Sequence, residues 1–459
     1  MSEREGTRTH PLTPLAEGVT AARWLAGIVI VGLVTGESWV RHVPWWAAVL
    51  GVLGLGLLAG GGTAAGWWFT RYVLDTTELR QTSGILVHTS RRVPYERIQS
   101  VDVTEPFLAR VLGLAQLDVE SAGGADSTTS LKYLPLHEAQ HMRAWLLERA
   151  GGADAADHTT PDASDHADVP DAAEAVPALA EATDRIVVPL KQLVLGTLVR
   201  LDVALTTFAA VVLFAVGVVG GILAQDWAFV FFAVPVVLGL GQMLTTRIVQ
   251  NWGFTLERRG RTLRIERGLL SRVSQTVPLD RVQGLIVAEP MVWRRLGWAH
   301  LEVDVAGYGA GSAGDDGLED RATLLPVASR ADALALVTRM LGGVDVEAVP
   351  RTSATRKART LDPLQWKRRW LGLDDHVLVS RRGRFRLVTH VAPVRKIQSA
   401  GLTQGPLQRR LGLATLVVHA PPGPLLADAE NLDSSDVRAA LERLRPLLDR
   451  PAPVVGPPV

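Results

Sequence analysis

His137, Glu138 and His141 spell HEAQH. On a helix, two imidazoles four residues apart can grip Zn²⁺ and the intervening glutamate can act as base on a metal-bound water. A catalytic zinc needs a third protein ligand, and the downstream candidates lie in an Ala-, Asp-, Pro- and Thr-rich stretch that reads as a disordered tether. The corresponding helix of a second internal copy offers Ala328 and Asp332 rather than histidine. The motif therefore reads as a chance match, and a zinc-dependent membrane hydrolase stands as the enzymatic alternative. With no cysteine, disulfides, thiolate metal sites and a Cys nucleophile are excluded. No nucleophile–base–acid set, phosphate loop or dinucleotide fingerprint appears. The expectation is a non-enzyme with no cofactor, no resident metal and no catalytic residues.

The densest chemistry is cationic. Arg356, Lys357, Arg359, Lys367, Arg368, Arg369, Arg381, Arg382, Arg384 and Arg386 follow one another, interleaved with Trp366, Trp370 and Phe385. Residues 351–410 hold 15 Lys+Arg against 3 Asp, whereas residues 151–184 hold 9 acidic residues and no Lys or Arg. A net charge of +1 thus conceals an acidic linker and a basic C-terminal third. Each Lys or Arg near an anionic leaflet contributes about 1 kcal/mol, so the cluster fits anionic phospholipid headgroups. Nucleic acid is the competing anion; membrane tethering makes the bilayer the nearer one, and no nucleic-acid partner is expected.

A second set of residues recurs. GILVHTSRRVPYERIQSV from Gly84, GLLSRVSQTVPLDRVQGL from Gly268 and GRFRLVTHVAPVRKIQSA from Gly383 align without gaps. Each carries a proline (Pro94, Pro278, Pro393), then a cation (Arg97, Arg281, Lys396), then a glutamine (Gln99, Gln283, Gln398), and later a glycine (Gly113, Gly297, Gly412). Arg110, Arg294 and Arg409 each precede that glycine by three. Such cations could touch a ligand or hold the fold; solvated or structural roles are the commoner, and this is the reading preferred.

The elements around these residues are short strands and closing helices. Residues 72–80, 85–93, 98–103 and 117–120 read as strands punctuated by Gly84 and Pro94, and residues 136–149, 328–341 and 434–448 as helices. Apolar runs at 24–40, 45–69, 203–223 and 227–244 have spanning length and carry tryptophans near their ends, which predicts four membrane spans in two hairpins. The hairpin turns hold one arginine, Arg41, while many arginines flank the other ends, so both termini and all the folded units face the cytoplasm. No charged residue sits centrally in a run, which disfavours an ion-coupled transporter.

Behind a membrane hairpin, the pattern Gly, strand, x-x-Pro-x-x-[Arg/Lys]-[Ile/Val]-Gln, then Arg-x-x-Gly resembles the bacterial pleckstrin-homology-like domains, specifically the YdbS/YdbT-like multi-PH membrane proteins. The resemblance covers nearly the whole chain except tails and linkers. It implies seven-stranded, orthogonally packed β-sandwich modules, each capped by a C-terminal helix, at the plasma membrane, with no implied reaction and roles around envelope stress or tolerance of membrane-active agents. The expected organisation is a tail (1–20), hairpin 1 (21–69), module 1 (70–150), acidic linker (151–184), hairpin 2 (185–249), module 2 (250–345), linker (346–360), module 3 (361–450) and tail (451–459). The expected function is a multi-pass lipid- or protein-binding platform at the inner leaflet, with a membrane-protein partner and self-association left open. An accessory subunit of an efflux assembly is a further alternative.

Overall fold

Proline and glycine set the chain path in every repeat. Pro94, Pro278 and Pro393 each close a strand and open a single 3₁₀ turn, Tyr95–Arg97, Leu279–Arg281 and Val394–Lys396. The ring fixes φ near the extended value each position needs and removes a donor from a strand end. Gly113, Gly297 and Gly412 hold φ of +70°, +70° and +66°, a region that penalises any Cβ. The carbonyl of each accepts the first N–H of the closing helix, from Leu136, Arg330 and Ser434.

The computed structural model describes residues 54, 68–83, 89–121, 128–150, 184–224, 234–305, 323–420 and 425–448. The expected hairpin 1 and both tails therefore lie almost wholly outside the described residues, as does the linker up to residue 183. In module 1, β1 (Arg71–Leu74), β2 (Glu78–Ser83) and β3 (Thr89–Pro94) precede β4 (Ile98–Glu105), α1 (Phe107–Val111), β5 (Leu114–Ser121), β6 (Thr128–Pro135) and α2 (Leu136–Ala150). The single strand expected over 72–80 is broken: Asp75 accepts from the Thr76 N–H at 2.7 Å and its own N–H reaches the Glu78 carbonyl, making a turn.

Module 2 starts earlier than expected. Strand β7 (Asp184–Val187), α3 (Leu190–Leu198), α4 (Leu201–Ala224) and α5 (Val234–Gln250) lead into β8 (Thr255–Arg259), β9 (Thr262–Arg267), β10 (Arg272–Pro278) and β11 (Val282–Pro290). These are followed by α6 (Met291–Arg295), β12 (Trp298–Val305), β13 (Thr323–Ser329) and α7 (Arg330–Met340). Because β7 pairs with β8, the helices α3 to α5 are an insertion between the first two strands of module 2, so the hairpin boundary at 185 is corrected. The α3 helix is also module 2 structure: Trp293 Nε1 donates to the Gly196 carbonyl at 2.9 Å, and a Cβ at Gly196 would lie 2.8 Å from Val327.

Module 3 comprises β14 (Arg351–Ser353), β15 (Trp370–Leu373), β16 (Val377–Arg382), β17 (Arg386–Pro393), β18 (Ser399–Thr403), α8 (Pro406–Leu411), β19 (Leu413–His419), β20 (Ala429–Asp433) and α9 (Ser434–Leu448). Strand β14 lies within the stretch expected as a linker, 346–360, and pairs with β15.

Hydrogen-bonded sheets cross the repeat boundaries. Their orders are β1-β2-β3, then β6-β5-β4-β10-β9-β8-β7, then β13-β12-β11-β17-β16-β15-β14, then β18-β19-β20. Modules 2 and 3 each contain four strands followed by three, but each seven-stranded sheet joins three strands of one module to four of the next. The joints are antiparallel, Glu105↔Arg272 to Val103↔Ser274 between β4 and β10, and Leu285↔Val391 to Pro290↔Arg386 between β11 and β17.

The two joints differ in chemistry. Between modules 2 and 3 the sheet is a shared apolar wall: Val377, Val379 and Val391 of module 3 belong to the core built around Leu285, Val287 and Trp293, while Ile286 of module 2 belongs to the core around Leu378, Leu413 and Leu444. Neighbouring residues on β11 thus serve different cores, as the two-residue period of a strand requires. Between modules 1 and 2 the corresponding contacts are polar, with Arg143 of α2 donating to Ser274 Oγ at 3.0 Å and to Thr276 Oγ1.

Helix α4 has a mean hydropathy of 2.4 over its most apolar window and is long enough to cross a bilayer. It is the one candidate span among the described residues; of the four expected, the runs at 24–40 and 45–69 lie almost wholly outside them, as do residues 227–233 of the run at 227–244. Phe208, Val211, Phe214, Val216, Val219 and Ile222 are exposed along it, while Val203, Ala210, Gly217 and Gly221 are buried. Arg247, near the end of α5, bonds Asp202, near the start of α4, at 2.7 Å, so the two helices run antiparallel.

Candidate functional site

The repeated cations mark the joints between modules. Arg281 closes its 3₁₀ turn and its Nη1 donates to the Ile98 carbonyl of module 1 at 2.9 Å; the equivalent Lys396 Nζ donates to the Asp280 carbonyl of module 2 at 2.5 Å. Arg110 likewise donates to the Leu269 carbonyl of the following module at 3.2 Å. For Arg281, Lys396 and Arg110 the bond made crosses a boundary between modules. Arg97 is exposed and its side chain bonds no carbonyl among the described residues. Gln283 is buried and its Nε2 reaches the Arg281 carbonyl at 3.4 Å, whereas Gln398 is exposed and uses its backbone N–H on His419; the side chain of Gln99 lies outside the described residues.

The basic stretch of module 3 divides in two. Arg369 is buried between Asp362 and Glu430, Arg381 and Arg382 pair with Glu289 and Glu430 at 3.4 and 3.6 Å, and Arg386 pairs with Glu302 at 2.7 Å. These four pair with buried or half-buried carboxylates; Arg369 is itself buried, whereas Arg386 stays exposed beside its partner. Arg356, Lys357, Arg359, Lys367, Arg368 and Arg384 are exposed. Among them Lys357 touches Asp433 at 3.3 Å, and Arg368 donates to the Arg384 carbonyl at 3.2 Å. That bond ties the Trp366–Arg368 turn to the β16–β17 turn bearing exposed Phe385, so cations and aromatics share one surface.

Composition gave no sign of a polar cavity of about 300 Å³ at the base of α4 and α5. Its walls come from α3, α4, α5, β12 and β13, and Arg386 of module 3 closes one side. Asp202 bridges Arg200 at 3.1 Å and Arg247 at 2.7 Å, and Glu302 bridges His300 at 3.2 Å and Arg386 at 2.7 Å. Burial opposes ionisation of Glu302, but the His300 and Arg386 hydrogen bonds and charges win and hold its pKa at about 2. Both His300 nitrogens face acceptors, Nδ1 meeting the Pro326 carbonyl at 3.0 Å. Three arginines against two carboxylates leave an excess positive charge at the foot of the long apolar helix α4. Such a hollow suits an anionic oxygen.

His137 and His141 are exposed on α2, and Glu138 faces the Tyr72 hydroxyl, whose pKa is pushed up to about 12 by burial and then by that carboxylate. No group of three His, Cys, Asp or Glu side chains able to hold a metal occurs among the described residues.

Comparison with known proteins bears on this arrangement. The bacterial PH domain family matches residues 21–150, 201–343 and 358–446. A curated relative, the UPF0699 transmembrane protein YdbT of Bacillus subtilis (strain 168), is 21% identical over 328 residues, covering 66% of this chain and 64% of the relative. The chain thus spans under two thirds of that relative's length. No solved structure matches.

Proposed function

The chain belongs to the bacterial PH domain family, and from that premise we propose that it is a non-enzymatic membrane scaffold whose three modules lie in a row along the inner leaflet. In this reading membrane hairpins hold modules 1 and 2 to the bilayer, and module 3 docks on anionic phospholipid headgroups through its exposed cations. The observation that carries it is the exposure of Arg356, Arg359, Lys367, Arg368 and Arg384, the last three gathered beside Trp366 and Phe385, on the module that has no helical insertion of its own. About 1 kcal/mol for each cation at an anionic surface exceeds what is needed to hold a module already tethered nearby. Aromatic rings favour the headgroup level.

The test is hydrogen exchange of the full chain in nanodiscs. Amides of residues 356–368 and 383–386 should be protected in anionic lipid relative to neutral lipid, and salt should remove the difference. Equal exchange in both lipids would sink the headgroup reading.

A further inference from the structure

Both joints between modules use the same register. Moving from copy 1 to copy 2 (Gly84 to Gly268) and from copy 2 to copy 3 (Gly268 to Gly383) converts Glu105↔Arg272 into Glu289↔Leu387, Thr104↔Val273 into Ala288↔Val388 and Val103↔Ser274 into Val287↔Thr389, which are the pairs observed. The second strand type (β4, β11) of each module therefore always takes the first-sheet edge (β10, β17) of the next. Module 3 carries that second strand type as β18 and module 1 carries that first-sheet edge as β3. Each is the outermost strand of its three-stranded sheet among the described residues. Edge strands are normally blunted by charge or proline, yet β18 reads Ser-Ala-Gly-Leu-Thr.

We propose that β18 of one chain adds to β3 of a second copy of the same chain, with Thr403↔Thr89, Leu402↔Ser90, Gly401↔Arg91, Ala400↔Arg92 and Ser399↔Val93 paired antiparallel. This register is the observed one carried forward by the same repeat offsets. A second observation points the same way. Arg281 and Lys396 each reach back to a carbonyl in or next to the 3₁₀ turn of the preceding module, whereas the equivalent Arg97 is exposed and has no hydrogen bond to a described residue. In the assembly Arg97 meets the carbonyls of residues 395–397, at the Val394–Lys396 turn of the neighbouring chain. The interface is heterologous, so each chain offers one edge at each end, and association runs head to tail into a row or ring in the membrane plane rather than a closed two-fold dimer.

The absence of cysteine makes thiol crosslinking report only on introduced positions. Full-length Thr89→Cys and Thr403→Cys proteins carrying different tags are reconstituted together in one membrane and oxidised; both threonines are exposed. The expected product is the mixed 89–403 disulfide, at least about tenfold above that formed when Gln404→Cys replaces Thr403→Cys, because a one-residue slip turns side chains to the opposite face. The cysteine-free protein in detergent should gain mass with concentration. A dominant 403–403 product, equal yield from Gln404→Cys, no mixed product although both thiols react with maleimide, or a fixed single-chain mass would each overturn the proposal.

Discussion

Ile286 lies on a strand of module 2, yet its side chain is part of the core of module 3 and is only 3% exposed. Replacing it with alanine removes three carbons at about 0.8 kcal/mol each, roughly 2.4 kcal/mol, and the cavity left behind raises this into the 2–5 kcal/mol range seen for such truncations. A loss of about 3 kcal/mol multiplies the opening equilibrium roughly 150-fold. The affected unit should be module 3, more than one hundred residues downstream in its last strands and helix. Hydrogen exchange followed by mass spectrometry on the full chain in nanodiscs reads this directly, since protection of β19 (Leu413–His419) and α9 (Ser434–Leu448) should fall. Leu285→Ala, one residue earlier and facing the module 2 core, should instead loosen α7 first. If Ile286→Ala speeds exchange only in module 2 and leaves β19 and α9 unchanged, the shared-wall description of the joint is wrong.

The same joint should show opposed pH dependences. His390 is pushed down to about 4 by burial and then by Arg382, and its Nδ1 accepts the Leu426 N–H at 3.3 Å. An unfolded histidine binds its proton near 6.5, so acidification from 6.5 to 4 costs the joint about 3 kcal/mol. Asp304 is pushed up to about 6 by burial, against a weaker opposing bond from the Leu425 N–H, so acidification through 6 towards 3.8 returns a similar amount. Denaturant unfolding between pH 7 and 4 should therefore be steeply acid-sensitive in Asp304→Asn and gain stability with acid in His390→Gln; parallel profiles for the two variants would contradict this. Gly383 has φ of +106°, and a Cβ there would sit 1.9 Å from the Arg386 carbonyl oxygen. Gly383→Ala should break the β16–β17 turn at a cost above about 2 kcal/mol and lower the thermal midpoint; an unchanged midpoint would refute the requirement.

Much of the local architecture was readable before any coordinates. Pro94, Pro278, Pro393, Gly113, Gly297 and Gly412 announce turns because ring closure and the missing Cβ act on the residue's own backbone. The three closing helices fall within about two residues of the expected ends for a similar reason, their apolar spacing being a local pattern. The site was less legible. In one run of cations, Arg369 is buried in an ion pair and Lys367 is exposed, and no periodicity distinguishes them. The polar cavity escaped notice because Asp202, Arg247, Glu302 and Arg386 come from four separate elements.

What the amino-acid order settled by itself is that one unit is repeated three times, where its strands turn, and that a long apolar helix accompanies it. These properties depend on backbone restrictions and on hydrophobicity summed over a short window. Only the tertiary structure decided that β7 belongs with the strands beyond the helices, that sheets run through the repeat boundaries, and that Leu285 and Ile286 serve different cores. A strand has two edges and two faces, and which of them is used depends on the strand that comes to lie beside it from elsewhere in the chain.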